Sequence, residues 1–412
     1  MVRTTNIKSI FFTTQALLGR LALEGKPLVE RCGPTGVVCV NDYASALPYH
    51  FERSSAEGAG QSLGAVAINS DSGHSWDLIK DASFVVFDRE RGLEILGPSP
   101  SVEIMFNVSD DVHEAPVYIP SQNRLVFAEL AVGHLPLLSV DLNRHPPVLE
   151  HFLPDPPIYV PNGAYFKDGL VWFGASGGNH TSGKEFKPSL QTWDPETNES
   201  QVWLNNYFGY YFNTIDDLVV HPITGDVWFT DPNYSWYTGT SDTAPQLKTA
   251  TWRFNPKTRA THIVDDSLHQ PDGIGFSPDG KILYIGDSGA YSGSDAPADR
   301  GKKDTWNSAG ERTIYEYKLS EDYTYPVSKR PLYTAGNGAT DGVRCARNGY
   351  IVTATGAGLD VIDQTGQLIL RVQTSFNAQN FIWTGSNFET IWVTGNGAIG
   401  KVEMNLPGQV LL

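Results

Sequence analysis

Cysteine is scarce in this 412-residue chain, with three residues in all, and that excludes a disulfide framework. Cys32 and Cys39 stand near enough in sequence to pair in an exported protein. Cys345 falls in an expected inner strand, where a small buried hydrophobe is the expected role. Basic residues are in deficit as well: 30 Lys and Arg against 46 Asp and Glu leave a formal net charge of −16. The excess acid is spread along the chain, which argues against nucleic acid or an anionic membrane as partner. No apolar stretch is long enough to span a bilayer as a helix. The opening MVRTTNIKSIFFTTQALLGR is broken by Thr13, Thr14 and Gln15 and followed by Arg20, so it reads poorly as a signal peptide and tilts the expected location toward the cytoplasm. Walker, HExxH and GxSxG patterns are missing too, which removes the usual signatures of nucleotide, zincin and serine-hydrolase chemistry.

What the chain does have is repetition. Six short apolar runs, NRLVFAEL, GLVWFGAS, GDVWFTDP, KILYIGDS, GYIVTATG and ETIWVTGN, are centred on Val126, Val171, Val227, Leu283, Ile351 and Ile391. The steps of 45, 56, 56, 68 and 40 residues match the period of propeller blades. Each run is too rich in β-branched and aromatic residues to face water, and a four-stranded blade buries such a strand between its neighbours. Hairpins with Asp-Pro or Asn-Pro turns follow, as in LQTWDPETNESQVW and TWRFNPKTRATHIV. An all-β, six-bladed propeller is therefore expected over residues 84–412. The hairpin FVVFDRERGLEIL near Phe84 and the strand near Glu403 would complete one blade between them and leave no free edge. Residues 1–83 read as an N-terminal extension, with a short amphipathic helix over Lys8–Leu23 and a Gly-, Ala- and Ser-rich loop over Ser54–Ser75, positioned to cap the ring.

Immediately before each central run lies an innermost strand, and each begins on a polar residue: Glu114, Asn162, Asp216, Asp272, Asp341 and Asn380. One Asp-Gly or Asn-Gly pair alone is ordinary turn chemistry, and it accounts for Gly163, Gly273 and Gly342. It does not account for Glu114, followed by Ala-Pro, or for Asp216, followed by Asp-Leu. Equivalent positions of a propeller converge on the axis, so six oxygen-bearing side chains should meet there. Four carboxylates at one place repel one another unless protons or a cation intervene. Oxygen donors without Cys or clustered His favour calcium or magnesium over zinc. His113, His134 and His180 also fall in or just after inner segments.

The segments HEAPVY, LNNYFGYYFNTIDDLVVHPITGDVWFTDPNY and QPDGIGFSPDGKILYIGDSG resemble the fungal lactonohydrolases of the gluconolactonase and regucalcin superfamily. The resemblance runs from about Phe84 to the C-terminus. It implies a calcium-dependent six-bladed propeller that hydrolyses or forms a lactone in fungal secondary metabolism. It also implies Glu114, Asp272 and Asp341 as ligands of Ca2+ or another divalent cation such as Mg2+, with Asp216 beside metal-bound water or substrate. Asp216 and Asp272 stand where such relatives usually carry Asn, which makes this ring more acidic and favours tighter cation binding or a shared proton.

The expected chemistry is Lewis-acid polarisation of a lactone carbonyl with a carboxylate activating water. Asp341 is the preferred base and Asp272 the next. Asn162, Asp216, His180 and Trp236 are expected to bind a small-molecule substrate on a monomer. Tyr207, Phe208, Tyr210, Tyr211, Tyr234, Trp236 and Tyr237 would give the channel an aromatic mouth. That mouth also suits a second reading, a biosynthetic cyclase of the hetero-Diels-Alderase type, for which a shaped pocket matters more than a hydrolytic metal centre.

Overall fold

The computed structural model describes residues 29–41, 52–53, 66–67, 78–301, 305–307 and 309–410. The helix expected over Lys8–Leu23 lies outside them. So does most of the 54–75 stretch, apart from the strand Val66–Ala67, which pairs with Glu52–Arg53.

Each central run forms a strand, and its alternation decides which neighbour it meets. In Leu170–Ala175, Val171 and Phe173 pack with Val117, Val126 and Ala164, whereas Trp172 points the other way toward Phe229 and Trp252. One strand thus contributes to two cores, because successive side chains leave opposite faces. The same division recurs with Val219 and Trp228 on one side of their sheet and Val220 and Phe229 on the other. Each such side chain contributes about 1.5–3 kcal/mol by burial, so stability is distributed around the ring.

Among the described residues, five sheets have four strands apiece. In chain order they run Glu114–Ile119 to Leu149–Phe152, Pro161–Lys167 to Ser200–Leu204, Leu218–Val220 to Thr261–Asp265, and Pro271–Phe276 to Pro326–Thr334. The fifth combines Ala378–Thr384, Thr390–Gly395 and Ala398–Glu403 with Ser101–Asn107. Neighbouring innermost strands pack against one another around the channel.

The repeat near Ile351 departs from expectation, and the chain builds five four-stranded blades rather than six. Val343–Cys345, Ile351–Thr355, Gly358–Ile362 and Leu368–Gln373 continue into Phe84–Val86, Val37–Val40 and Val29–Arg31, making a seven-stranded sheet. The reason lies in the fourth strand. Outer strands such as Thr261–Asp265 are mostly half-exposed or exposed, but Leu368–Gln373 is buried along its middle, so it needs further cover. Phe84–Val86 supplies it antiparallel, and Val37–Val40 adds to that strand in parallel. Cys32 and Cys39 form a disulfide in the terminal hairpin, and Cys345 is free and buried.

Closure also uses different residues from those expected. The partner of Ala398–Glu403 is Ser101–Asn107, with Glu403 opposite Ser101 and Ala398 opposite Asn107. The supposed hairpin from Phe84 turns into a helix, Arg89–Leu96. Asp88 caps it by accepting the Arg91 amide at 3.0 Å, and Gly97, at φ 69°, ends it by donating its N–H to the Leu93 carbonyl.

Inside the seven-stranded sheet Arg371 and Asp360 face each other across the ladder and are essentially inaccessible. Arg371 Nε and Nη2 donate to Asp360 at 2.6 and 2.8 Å, and Tyr333 Oη donates to it at 2.7 Å. Replacing Arg371 by Met should destabilise the fold by about 3–5 kcal/mol, because it leaves a buried carboxylate without its counter-charge. Urea unfolding would show this as a lowered midpoint; an unchanged midpoint would mean that the pair is dispensable.

Candidate functional site: an axial carboxylate cavity

The inner strands do not start smoothly. Their ladders slip between Glu114 and Val117, between Pro161 and Gly163, between Pro271 and Ile274, and between Ala378 and Asn380. A bulge of this kind turns a side chain out of the regular alternation. Here it does so where Glu114, Asn162, Asp272 and Gln379 reach the channel.

The glycines that follow the polar residues have a different cause from the turn chemistry expected of them. A Cβ on Gly273 would stand 2.1 Å from the Asp341 carbonyl oxygen, and one on Gly163 2.4 Å from that of Asp216. Neighbouring inner strands therefore approach too closely for any side chain, and that approach draws the axial residues together.

A cavity of about 590 Å3 opens at this end of the channel, and Glu114, Asn162, Asp216, Asp272 and Asp341 all line it. The sixth ring residue, Asn380, donates from Nδ2 to Glu114 Oε2 at 3.0 Å. Asn162 Nδ2 donates to Asp216 Oδ1 at 2.7 Å. Tyr234 Oη donates to Asp272 Oδ2 at 2.9 Å and lies in close contact with Ser288 Oγ. Asp341 accepts no side-chain hydrogen bond among the described residues.

Burial is the first cause that pushes the carboxyls of Glu114, Asp216, Asp272 and Asp341 above their ordinary range, and neighbouring acids add to it. Asp272 reaches about 6, held back by hydrogen bonds from Ser288, Tyr234 and Asp216. Asp217 is also raised by burial, opposed by Arg344 at 4.0 Å. His113 lines the cavity too. Its Nδ1–H can donate to the Asp110 carbonyl at 2.7 Å, and burial lowers its pKa.

The donor set suits a hard cation. Asn162 Oδ1 and Gln379 Oε1 are buried amide oxygens without hydrogen-bond partners among the described residues, and both residues line the cavity beside four carboxylates. Such atoms cost free energy unless something positive meets them. Glu114, Asp272 and Asp341, with the Asn162 oxygen nearby, are the residues that could hold Ca2+ or Mg2+.

Two expected substrate residues fall elsewhere. Trp236 is buried, donates from Nε1 to the Ser294 carbonyl at 3.2 Å, and does not line the axial cavity. It sits in the one-turn helix Tyr234–Tyr237, where a step of two residues reverses the face, so Tyr234 reaches the cavity in its place. His180 is tied to Ser182 Oγ at 2.7 Å and the Gly133 carbonyl at 3.1 Å, and packs on Tyr159 and Phe186.

The aromatic mouth dissolves in the same way. Tyr207 stacks on Trp252, and Phe208 and Tyr210 face solvent. Tyr291, which no motif marked, joins Tyr234 at the cavity. A second cavity of about 250 Å3 is lined by Arg344, Arg347 and Lys167 and mainly by apolar groups such as Tyr165, Phe276 and Trp383. It lacks convergent acids.

The family described as SMP-30/Gluconolactonase/LRE-like region matches residues 112–396. The lactonohydrolase oryL of Aspergillus oryzae is 40% identical over 375 residues, covering 90% of this chain and 86% of that protein. The lactonohydrolase oryH of the same organism is 34% identical over 447 residues, covering 93% and 94%. A solved gluconolactonase from Xanthomonas campestris shares the fold with a TM-score of 0.60 at 20% identity, over 76% of this chain and 91% of its own.

The raised carboxyls give the chelated protein a definite pH dependence. Folded Asp272 holds its proton to about pH 6, whereas its unfolded form releases it near 3.8. The folded state thus binds more protons in that window, and stability should fall as pH rises through it, by up to about 1.4 kcal/mol per unit for this one group. Asp216→Asn, which takes one ionisable group out of the crowded acids, should raise the melting temperature in chelator, and more so as pH rises. Urea midpoints between about pH 4 and 7 in the presence of chelator test both; a flat profile for the wild type would contradict them.

Proposed function

Because the chain belongs to the SMP-30/gluconolactonase/LRE-like family, we propose that it is a lactonase-type hydrolase acting at the axial cavity on a small-molecule lactone, with calcium as the preferred cation. The observation that carries the reading is the convergence of four carboxylates, Asp216 and Asp272 buried and Glu114 and Asp341 half-buried, and two amide oxygens unpartnered among the described residues on a single cavity. Glu114, Asp272 and Asp341 are its cation ligands. A divalent ion bound there would neutralise the acids and polarise the ester carbonyl.

The remaining work falls to the chain. Asn162 and Asp216, already joined by a hydrogen bond, orient the substrate or the attacking water. Asp341, free of side-chain hydrogen bonds among the described residues, takes a proton from that water at its carboxylate as the carbon–oxygen bond forms. The ring C–O bond then breaks, and the proton passes to the departing alkoxide, leaving a hydroxy acid. Tyr234 keeps its proton, since burial and then the charges of Asp272 and Asp216 push its pKa well up, and it fixes Asp272 by donating to it.

The cyclase alternative drew on an aromatic mouth that included Trp236. With Trp236 turned away and acids dominating the cavity, no observation favours it.

Chelation should abolish hydrolysis of aldonolactones or aromatic lactones, and calcium should restore it. Asp341→Asn should lower kcat by about 10²–10⁴-fold, while Trp236→Phe should leave kcat within a few-fold, about the size expected of a packing change away from the cavity. Chelator-insensitive turnover, or full activity of Asp341→Asn, would overturn this assignment.

A further inference from the structure

The acids and amides of the axial ring offer oxygen donors, but a second cluster beside the cavity offers two imidazoles with one carboxylate. Glu129 follows the strand Arg124–Ala128, His134 lies in the loop leading to Leu137–Asp141, and His151 is on the outermost strand, opposite Leu138. One donor atom from each of the three lies within 4.8 Å of the other two. His134 Nε2 and Glu129 Oε2 are 3.3 Å apart. Yet His134 Nε2 is a buried atom with no aligned hydrogen bond.

We propose that Glu129, His134 and His151 form a second metal site, selective for a borderline divalent transition metal such as Zn2+. The argument does not rest on lactone chemistry. Two donors at about 2.0–2.2 Å from a tetrahedral ion stand about 3.3–3.5 Å apart, which is the separation of His134 and Glu129. Nearness without hydrogen-bond alignment is what two atoms aimed at a common third partner present.

The supporting contacts agree. Ser109 Oγ donates to the other carboxylate oxygen, Glu129 Oε1, at 3.3 Å, as outer partners of metal-binding carboxylates do. The rings of His134 and His151 meet edge to face at 6.2 Å, and His151 is solvent-exposed, so an ion can enter. Two imidazoles and one carboxylate suit zinc, whereas calcium takes six to eight oxygens. The two sites of this chain therefore differ in kind.

The location gives the site a consequence. Leu130, Ala131 and Val132, between Glu129 and His134, line the axial cavity. Their loop is otherwise held by the Leu130 amide donating to the Asp111 carbonyl at 2.8 Å, the Gly133 amide donating to Tyr159 Oη at 2.9 Å, and the Gly133 carbonyl 3.1 Å from His180 Nε2. An ion bridging Glu129, His134 and His151 fastens this loop to the outer edge of its sheet and so fixes one wall of the cavity mouth.

The test uses the full chain, stripped with chelator and then dialysed against Zn2+ in the presence of excess Ca2+. One Zn2+ per chain should remain by elemental analysis. His151→Ala and Glu129→Gln should each weaken Zn2+ binding by at least about tenfold, since one of three protein donors is lost. Their melting temperatures in chelator should match the wild type. Asp341→Asn should retain the zinc, and Co2+ in its place should give the visible absorption of a four-coordinate ion. No zinc on the wild type in excess calcium would overturn the site, as would equal zinc affinity in both variants. Loss of zinc in Asp341→Asn but not in His151→Ala would assign the ion to the axial cavity instead.

Discussion

Repulsion among buried acids is the constraint to which the centre of this molecule is fitted. In ring order the six positions read Glu114, Asn162, Asp216, Asp272, Asp341 and Asn380, so the two amides flank Glu114 and three aspartates stand in succession. Each amide donates to an acid, Asn380 to Glu114 and Asn162 to Asp216. Tyr234 and Ser288 serve Asp272. Asp341 is left to whatever enters the cavity. Such a cluster costs stability while it lacks a counter-ion and repays it when one is present, so occupancy and folding are linked through the same few atoms.

Much of the fold was legible because it depends on local chemistry. Apolar runs centred on Val126 or Val227 cannot face water, and their spacing leaves few architectures open. The ring of polar residues was legible for a related reason: turn preference could not explain Glu114 or Asp216, and the structure brings both to the axis. What escaped were choices made between distant parts of the chain. Nothing near Leu368 announces that Phe84–Val86 and Val37–Val40 will extend its sheet, although the lack of polar alternation in LILRV was a usable sign. The helix at Arg89 was hidden by apolar residues on either side, yet Asp88 and Gly97 are its capping signals.

Side-chain direction was the least legible property. Trp236 and Tyr234 are two residues apart, and one helical turn decides which of them meets the cavity. His180 is claimed by a backbone carbonyl 47 residues earlier in the chain. His134 and His151 are separated by a hairpin, so their meeting follows from the pairing of Leu138 with His151 and not from any linear motif. In the sequence the glycines at 163 and 273 look like turn residues. Their role is to let two backbones touch, which sequence alone does not distinguish from a turn.

The joint between Ser101–Asn107 and Ala398–Glu403 also governs how the chain comes into being. The first of these strands leaves the ribosome well over half the chain ahead of its partner, and until Ala398–Glu403 is synthesised its ladder remains unmatched. Contacts of such long sequence separation form late, because the entropy of closing the loop must be met before the pairing rewards it. Until the two strands meet, each leaves a sheet edge unpaired, and their pairing is what turns a row of sheets into a ring.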